Sequence, residues 1–130
     1  MASPEDLKYT KDHEWVRVTG DKARVGITDF AQKQLGDVVY VELPKTGDRF
    51  EASEPFGSVE SVKAVTEVYM PLTGSVTTLN DGLNDEPELV NTEPYGEGWM
   101  IEVTLSDKGQ LEGLLTAAEY EDYIRAEASE

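Results

Sequence analysis

Between Glu14 and Val76 the apolar residues fall in short runs, each cut off by a turn-forming cluster. Runs this short read as strands, and turns this frequent pair them antiparallel. Glu14-Trp15-Val16-Arg17-Val18 and Ala23-Arg24-Val25-Gly26-Ile27 flank Thr19-Gly20-Asp21-Lys22 as strand, turn and strand. Asp37 to Leu43, rich in Val and Tyr, is strand again. Pro44-Lys45-Thr46-Gly47-Asp48 then turns, Pro fixing φ and Gly accepting φ > 0. One short helix interrupts, Thr28 to Gly36, with Thr28 or Asp29 to cap its free N–H groups and Gly36 as its left-handed stop. The chain is therefore expected to be mainly β.

Val41-Glu42-Leu43-Pro44-Lys45-Thr46-Gly47 is echoed by Val68-Tyr69-Met70-Pro71-Leu72-Thr73-Gly74. A strand entering the same turn twice suggests two half-domains related by pseudo-symmetry, with Lys63 between them where a hairpin can project. After Val76 the pattern loosens. Asn80 to Pro94, dense in Asn, Asp, Glu and Pro, is expected as loop with one turn of helix, and Trp99 to Val103 as a last strand. The tail is helical over about 106–126. Ser106 is placed to cap a stretch carrying Leu111, Leu114 and Leu115, and Thr116-Ala117-Ala118-Glu119 has capping-box form ahead of Tyr120, Tyr123 and Ile124. That stripe is expected to pack on the body of the molecule, and the last few residues to fray. No linker shows, so 1–130 is read as a single domain of ordinary size.

Twenty-seven acids against eleven bases give a net charge of −16, which disfavours nucleic acid and anionic lipid and favours partners with basic docking surfaces. A plain solubility surface accounts for most of these charges equally well. There is no cysteine and one histidine, His13. Disulfides, zinc-thiolate sites and thiol nucleophiles are thus excluded, and little remains for acid–base or nucleophilic catalysis at neutral pH. The composition points to a carrier or binding module rather than an enzyme. The acidic start, Met1 to Asp6, matches neither a secretory signal nor a transit peptide. A cytoplasmic protein without membrane spans is the expectation, and from a eukaryote the sequence would be a mature form.

Gly57-Ser58-Val59-Glu60-Ser61-Val62-Lys63-Ala64-Val65-Thr66-Glu67-Val68 sets one lysine among strand-forming residues. Such a lysine is either a solvent-facing strand position or an amine presented at a hairpin tip for acylation. The second use needs a rigid turn, because a flexible loop adds ordering entropy to every encounter. Asn-Gly and Asp-Gly, the usual two-residue hairpin pairs, are absent.

Glu60-Ser61-Val62-Lys63-Ala64, with Glu67, Pro71 and Gly74 downstream, resembles the lipoyl-attachment segment of glycine cleavage H proteins. Further blocks resemble that family in order: Tyr9 to Trp15, Val25 to Ala31, Leu35 to Val39, Pro87 to Asn91 and Pro94 to Trp99. The resemblance implies a barrel-sandwich hybrid of two small antiparallel sheets, with a short internal helix and a helical C-terminus. It implies lipoate in amide linkage to Lys63, on a β-turn. It implies a carrier that catalyses nothing itself, taking an aminomethyl group from the pyridoxal-phosphate glycine decarboxylase (P protein) to the tetrahydrofolate-dependent aminomethyltransferase (T protein). Dihydrolipoamide dehydrogenase (L protein) then reoxidises the arm. A lipoate ligase or an octanoyl/lipoyl transferase attaches it.

Carried over by position, Glu60 and Gly47 are candidates for recognition by the modifying enzyme. Gly47 serves equally well as a residue that only makes its turn, and Glu60 as one that only solvates the hairpin. Glu14, Asp12 and Glu67 match the cleft that shields the loaded arm, where carboxylates suit an amine. Family members often carry a small polar residue in place of Asp12 and Asp in place of Glu67. His13 belongs to the motif in a structural role. A lipoyl relay or donor for 2-oxoacid dehydrogenase complexes is the alternative within the family. A biotinyl carrier usually has methionines beside its lysine, unlike Val62 and Ala64. Asp12, His13 and Glu14 make a poor metal site, since neighbours in a strand point to opposite faces.

Overall fold

The computed structural model describes residues 4–128. Met1 to Ser3, and Ser129 and Glu130 where fraying is expected, lie outside the described residues. The strands are β1 (Lys8–Tyr9), β2 (Glu14–Thr19), β3 (Lys22–Ile27), β4 (Val38–Glu42), β5 (Arg49–Phe50), β6 (Pro55–Ser61), β7 (Val65–Tyr69), β8 (Gly74–Leu79) and β9 (Ile101–Leu105). The helices are α1 (Asp29–Leu35), α2 (Gly82–Asp85), α3 (Leu89–Thr92) and α4 (Ala117–Ala128), with a 3-10 helix over Lys108–Gly113.

Two antiparallel sheets result, one of six strands in the order β1-β2-β3-β9-β8-β5 and one of three in the order β4-β6-β7. They pack face to face without closing into a barrel, which agrees with the expected sandwich. The main core lies between them, with Val25, Val59, Leu72, Ile101 and Val103 fully buried. Each such side chain contributes about 1.5–3 kcal/mol by leaving water. The echoed segments have an architectural meaning. The first passes from β4 in the small sheet to β5 in the large one, and the second from β7 to β8. Their destinations pair directly, Phe50 opposite Gly74. Between the two crossings lies the β6–β7 hairpin with Lys63 at its tip.

The caps of α1 follow the sequence. Thr28 Oγ1 accepts from Ala31 N at 3.2 Å, and the chain leaves the helix at Gly36. Gly36 has φ 81° and ψ −159° rather than left-handed helical angles, a combination open essentially to glycine alone. Elsewhere the boundaries differ from expectation. β8 extends to Leu79, and β9 begins at Ile101 rather than Trp99. The Asn80–Pro94 stretch holds two helical turns, α2 and α3, because Leu83 and Val90 are both drawn fully into the core. The cap after β9 is Asp107, whose carboxylate accepts from Gly109 N at 2.9 Å, and not Ser106; the stretch it starts is 3-10.

The capping box at α4 is reciprocal. Thr116 N donates to Glu119 Oε1 at 2.9 Å, and Glu119 N donates to Thr116 Oγ1 at 3.2 Å. α4 then covers a second cluster built on Leu7, Tyr9 and Trp15. Tyr120 stacks on Tyr9 with ring centroids 4.7 Å apart and planes 7° from parallel.

Candidate functional site

Lys63 sits in a turn of two residues, Val62 and Lys63, between β6 and β7. Ser61 N donates to Ala64 O at 2.7 Å, closing the turn. Neither Val62 nor Lys63 has positive φ, so the turn dispenses with the Asn-Gly chemistry of common hairpins. Ser61 supplies the missing rigidity. Its buried hydroxyl oxygen accepts from Lys63 N at 3.3 Å and from Ala64 N at 3.1 Å. Val62 N, on the far side, donates to Asp37 O at 3.0 Å and ties the tip to the residue before β4. Lys63 itself is exposed. Its stem passes over Gly36, where an added Cβ would lie 3.6 Å from Lys63 Cε.

Glu14 opens β2 and is 2% exposed, unusual for a carboxylate. Two donors hold it. Thr10 Oγ1 donates to Oε1 at 2.7 Å, and Tyr69 N donates to Oε2 at 3.2 Å. The second bond crosses between the sheets, from the end of β7 to the start of β2. Thr10 also accepts from Asp12 N and Glu14 N, which shapes the loop carrying Asp12 and His13. Among the described residues no cation pairs with Glu14. Burial raises its pKa to about 7, against the opposing pull of the Thr10 and Tyr69 hydrogen bonds.

Asp12, Glu14 and Glu67 line one cleft of about 260 Å³, together with Ile27, Ala31, Gln34 and Leu35. Ala64 to Val68 form its other wall, so the cleft opens beside the lysine turn. A second depression of about 240 Å³, reaching Met70, Pro71 and Leu114, shares Asp12 and Glu14 with the first. The carboxylates therefore stand where the two meet. An amine entering from the Lys63 side would find a buried acceptor in a cleft of mixed polar and apolar walls.

His13 belongs to this loop and also lines the cleft, with both ring nitrogens engaged by the C-terminal helix. Its φ is 70°, its Nδ1 lies 2.9 Å from Tyr120 Oη, and its Nε2 lies 3.3 Å from Glu127 Oε2. Tyr120 Oη also reaches Thr28 Oγ1 at 2.6 Å. Burial pushes the imidazole below its usual range, while Glu127 and Asp12 pull it back. The arrangement locks α4 to the cleft loop, a structural part for His13. No metal-holding group of three His, Cys, Asp or Glu side chains occurs among the described residues.

Glu60 is exposed on the outer face of the small sheet, opposite Tyr40 on one side and Val65 on the other. Gly47 lies elsewhere. β4 meets the hairpin tip at Val38, and Gly47 follows the opposite end of that strand. It has φ 92°, and its N–H donates to Val76 O in the large sheet at 2.8 Å. It makes its turn, and no hydrogen bond among the described residues links it to the lysine turn. Two residues with clear work escaped the sequence reading. Ser61 was legible as a serine two residues before the lysine, a spacing suited to a side-chain turn. Thr10 was legible only once Glu14 was known to be buried.

A family model described as glycine cleavage H-protein matches residues 7–127. The glycine cleavage system H protein of Bacillus licheniformis is 55% identical over 125 residues, covering 96% of this chain and 98% of that one. That of Herpetosiphon aurantiacus is 57% identical over 126 residues, covering 97% and 96%. The crystal structure of a glycine cleavage system H protein from Mycobacterium marinum superposes with a TM-score of 0.83 at 41% identity, covering 91% of this chain and 95% of that one. Matched over more than nine-tenths of its length in sequence and in fold, the chain belongs to the glycine cleavage H-protein family.

Proposed function

We propose that Lys63 carries a lipoyl group in amide linkage and that the chain is the non-catalytic shuttle of the glycine cleavage system. The observation that carries this reading is the exposed lysine on a Ser61-locked two-residue turn, beside a cleft whose buried acceptor has no resident cation. The residues fit the group. The turn fixes the pivot, Ile27, Ala31, Leu35, Val65 and Val68 give a hydrocarbon arm apolar surface within the mixed cleft, and Glu14 offers oxygens to an amine at the arm's end. When bound, lipoate supplies the dithiol–disulfide chemistry by which an aminomethyl unit passes from glycine decarboxylase to the tetrahydrofolate-dependent aminomethyltransferase, with reoxidation by dihydrolipoamide dehydrogenase.

The chain's own contribution is positional. Ser61 holds the pivot still, and tethering raises the local concentration of the arm at each docked enzyme. Glu14 accepts the amine and, ionised by its arrival, offsets its charge out of water. Asp12 and Glu67 add negative potential at the mouth. Glu60 stands on the face a modifying ligase or transferase must approach. The whole chain acts as one carrier unit, with the C-terminal helix part of it, in the cytoplasm.

The test is the intact mass of the protein from its own host, with peptide mapping across Lys63. A mass gain of one lipoyl amide on Lys63, absent in Lys63→Arg, supports the reading. Glycine-dependent turnover by Lys63→Arg at the normal rate would overturn it.

A further inference from the structure

Five large apolar side chains are exposed among the described residues: Val18, Val39, Tyr40, Val62 and Val65. Four of them lie on the three-stranded sheet or on the turn that carries Lys63 at its tip. Val62 (71% exposed) is its neighbour in the turn, and Val65 (66%) stands opposite Glu60 just behind it. Val39 (48%) and Tyr40 (54%) come from β4, where a bulge between Val38 and Tyr40 shifts the register. In a regular strand one of two neighbours points inward; the extra residue leaves both outside. The bulge thus adds an apolar group beside the turn at the cost of a regular ladder. Solitary exposed apolar residues need no explanation, but a cluster on one small sheet and its turn does.

The same face is acidic. Tyr40, Glu60 and Val65 form one row across the three strands, and Glu42, Ser58 and Glu67 form the next. Behind them the face runs into a groove of about 520 Å³ floored by Pro44, Phe50 and Phe56, with Glu42, Asp48 and Glu67 on its walls. An apolar platform with Glu60 at its centre and Glu42 and Glu67 in the next row matches a partner surface that sets Arg and Lys among apolar groups.

We propose that this face, with Val39, Tyr40, Val62 and Val65 as its contact residues, is the docking site of the enzyme that first acylates Lys63. The proposal rests on the reading of Lys63 as the lipoyl site. Reach selects the occupant. Before modification the nucleophile sits at the end of a four-carbon stem. The acyl donor must therefore come down to the turn, and the protein around the donor must lie on the residues flanking it. Enzymes that act later meet the tip of a much longer arm and are free of that constraint. In the step itself the neutral Nζ attacks the carbonyl carbon of the acyl adenylate that the ligase makes from lipoate and ATP, and AMP is the leaving group. The amide C–N bond forms and the bond to the leaving group breaks. The leaving group keeps the electron pair, and Nζ gives up a proton.

The experiment uses the full unmodified chain with purified lipoate ligase, ATP and lipoate, following initial acylation rates by intact mass. Val39→Ser/Tyr40→Ser is expected to raise KM for the carrier by about tenfold or more, the loss typical of an aromatic anchor. Its kcat should change by no more than about twofold, since the amine and donor are untouched. Val18→Ser, on the large sheet, should behave as wild type, and unchanged circular dichroism establishes that each variant folds. Rising salt should raise KM, with a shallower slope in Glu42→Gln. A wild-type KM for the double variant, or a salt-independent KM, overturns the docking site while leaving Lys63 in place. A wild-type chain that takes no acyl group at Lys63 overturns the underlying reading instead.

Discussion

Replacing Glu14 by Gln removes the buried carboxylate of the cleft and should remove a pH dependence with it. In the unfolded chain Glu14 loses its proton near the ordinary 4.5, whereas burial holds it in the folded chain to about 7. Between those values the folded state binds more protons than the unfolded state, so raising the pH favours unfolding. The stability contributed by neutral Glu14 is whole below about pH 4.5 and gone above about pH 7. At about 1.36 kcal/mol per pKa unit, the full loss is about 3 kcal/mol.

The assay is urea unfolding of both chains from about pH 4.5 to pH 8, read by tryptophan fluorescence. Every other acid is common to the two, so the difference in unfolding free energy isolates position 14. That difference, wild type minus Glu14→Gln, should fall by about 3 kcal/mol across the window and then level off. A difference flat to within about 1 kcal/mol would mean that Glu14 ionises as an exposed carboxylate does, and the account of a desolvated acceptor would be wrong.

Three further outcomes are expected. Tyr120→Phe removes the hydroxyl between Thr28 Oγ1 and His13 Nδ1 and should cost about 1–3 kcal/mol, with faster hydrogen exchange along α4. Gly36→Ala forces a side chain into φ 81° and ψ −159° and should cost about 1–3 kcal/mol, read as a lowered thermal midpoint. Ser61→Ala deletes the acceptor of Lys63 N and Ala64 N and should cost about 1 kcal/mol, with sharper loss of hydrogen-exchange protection at Ala64 than at Val59.

Local chemistry was legible in the sequence wherever it completes itself within a few residues. Thr28, Gly36 and the Thr116–Glu119 box each act on backbone at most four residues away, and each is found in its expected role. Ser106 failed by one position because Asp107, a stronger acceptor, stood next to it. What stayed hidden was decided at long range. α2 and α3 exist because Leu83 and Val90 meet a core assembled from distant strands. The burial of Glu14 depends on Tyr69, 55 residues on. The resemblance brought Asp12, Glu14 and Glu67 together as a group, and the cleft holds all three. It also offered Gly47, which the fold puts at the opposite end of β4 from the hairpin tip. The Val39 bulge left no mark in the sequence, since a strand of Val and Tyr reads the same with or without it.

The stacking of Tyr120 on Tyr9 joins the last helix of the chain to its first strand. Leu115 N and O close the same junction against Tyr9, at 2.8 and 2.9 Å. During synthesis, the loop bearing Asp12, His13 and Glu14 emerges early, yet its lock waits for residues beyond 115. Contacts spanning so much of the chain form late, because the closure entropy must be met first. Until those residues are made, the hairpin and its Lys63 turn can form while the loop still lacks its lock. The Lys63 turn is therefore complete before the loop of Asp12, His13 and Glu14 is held in place.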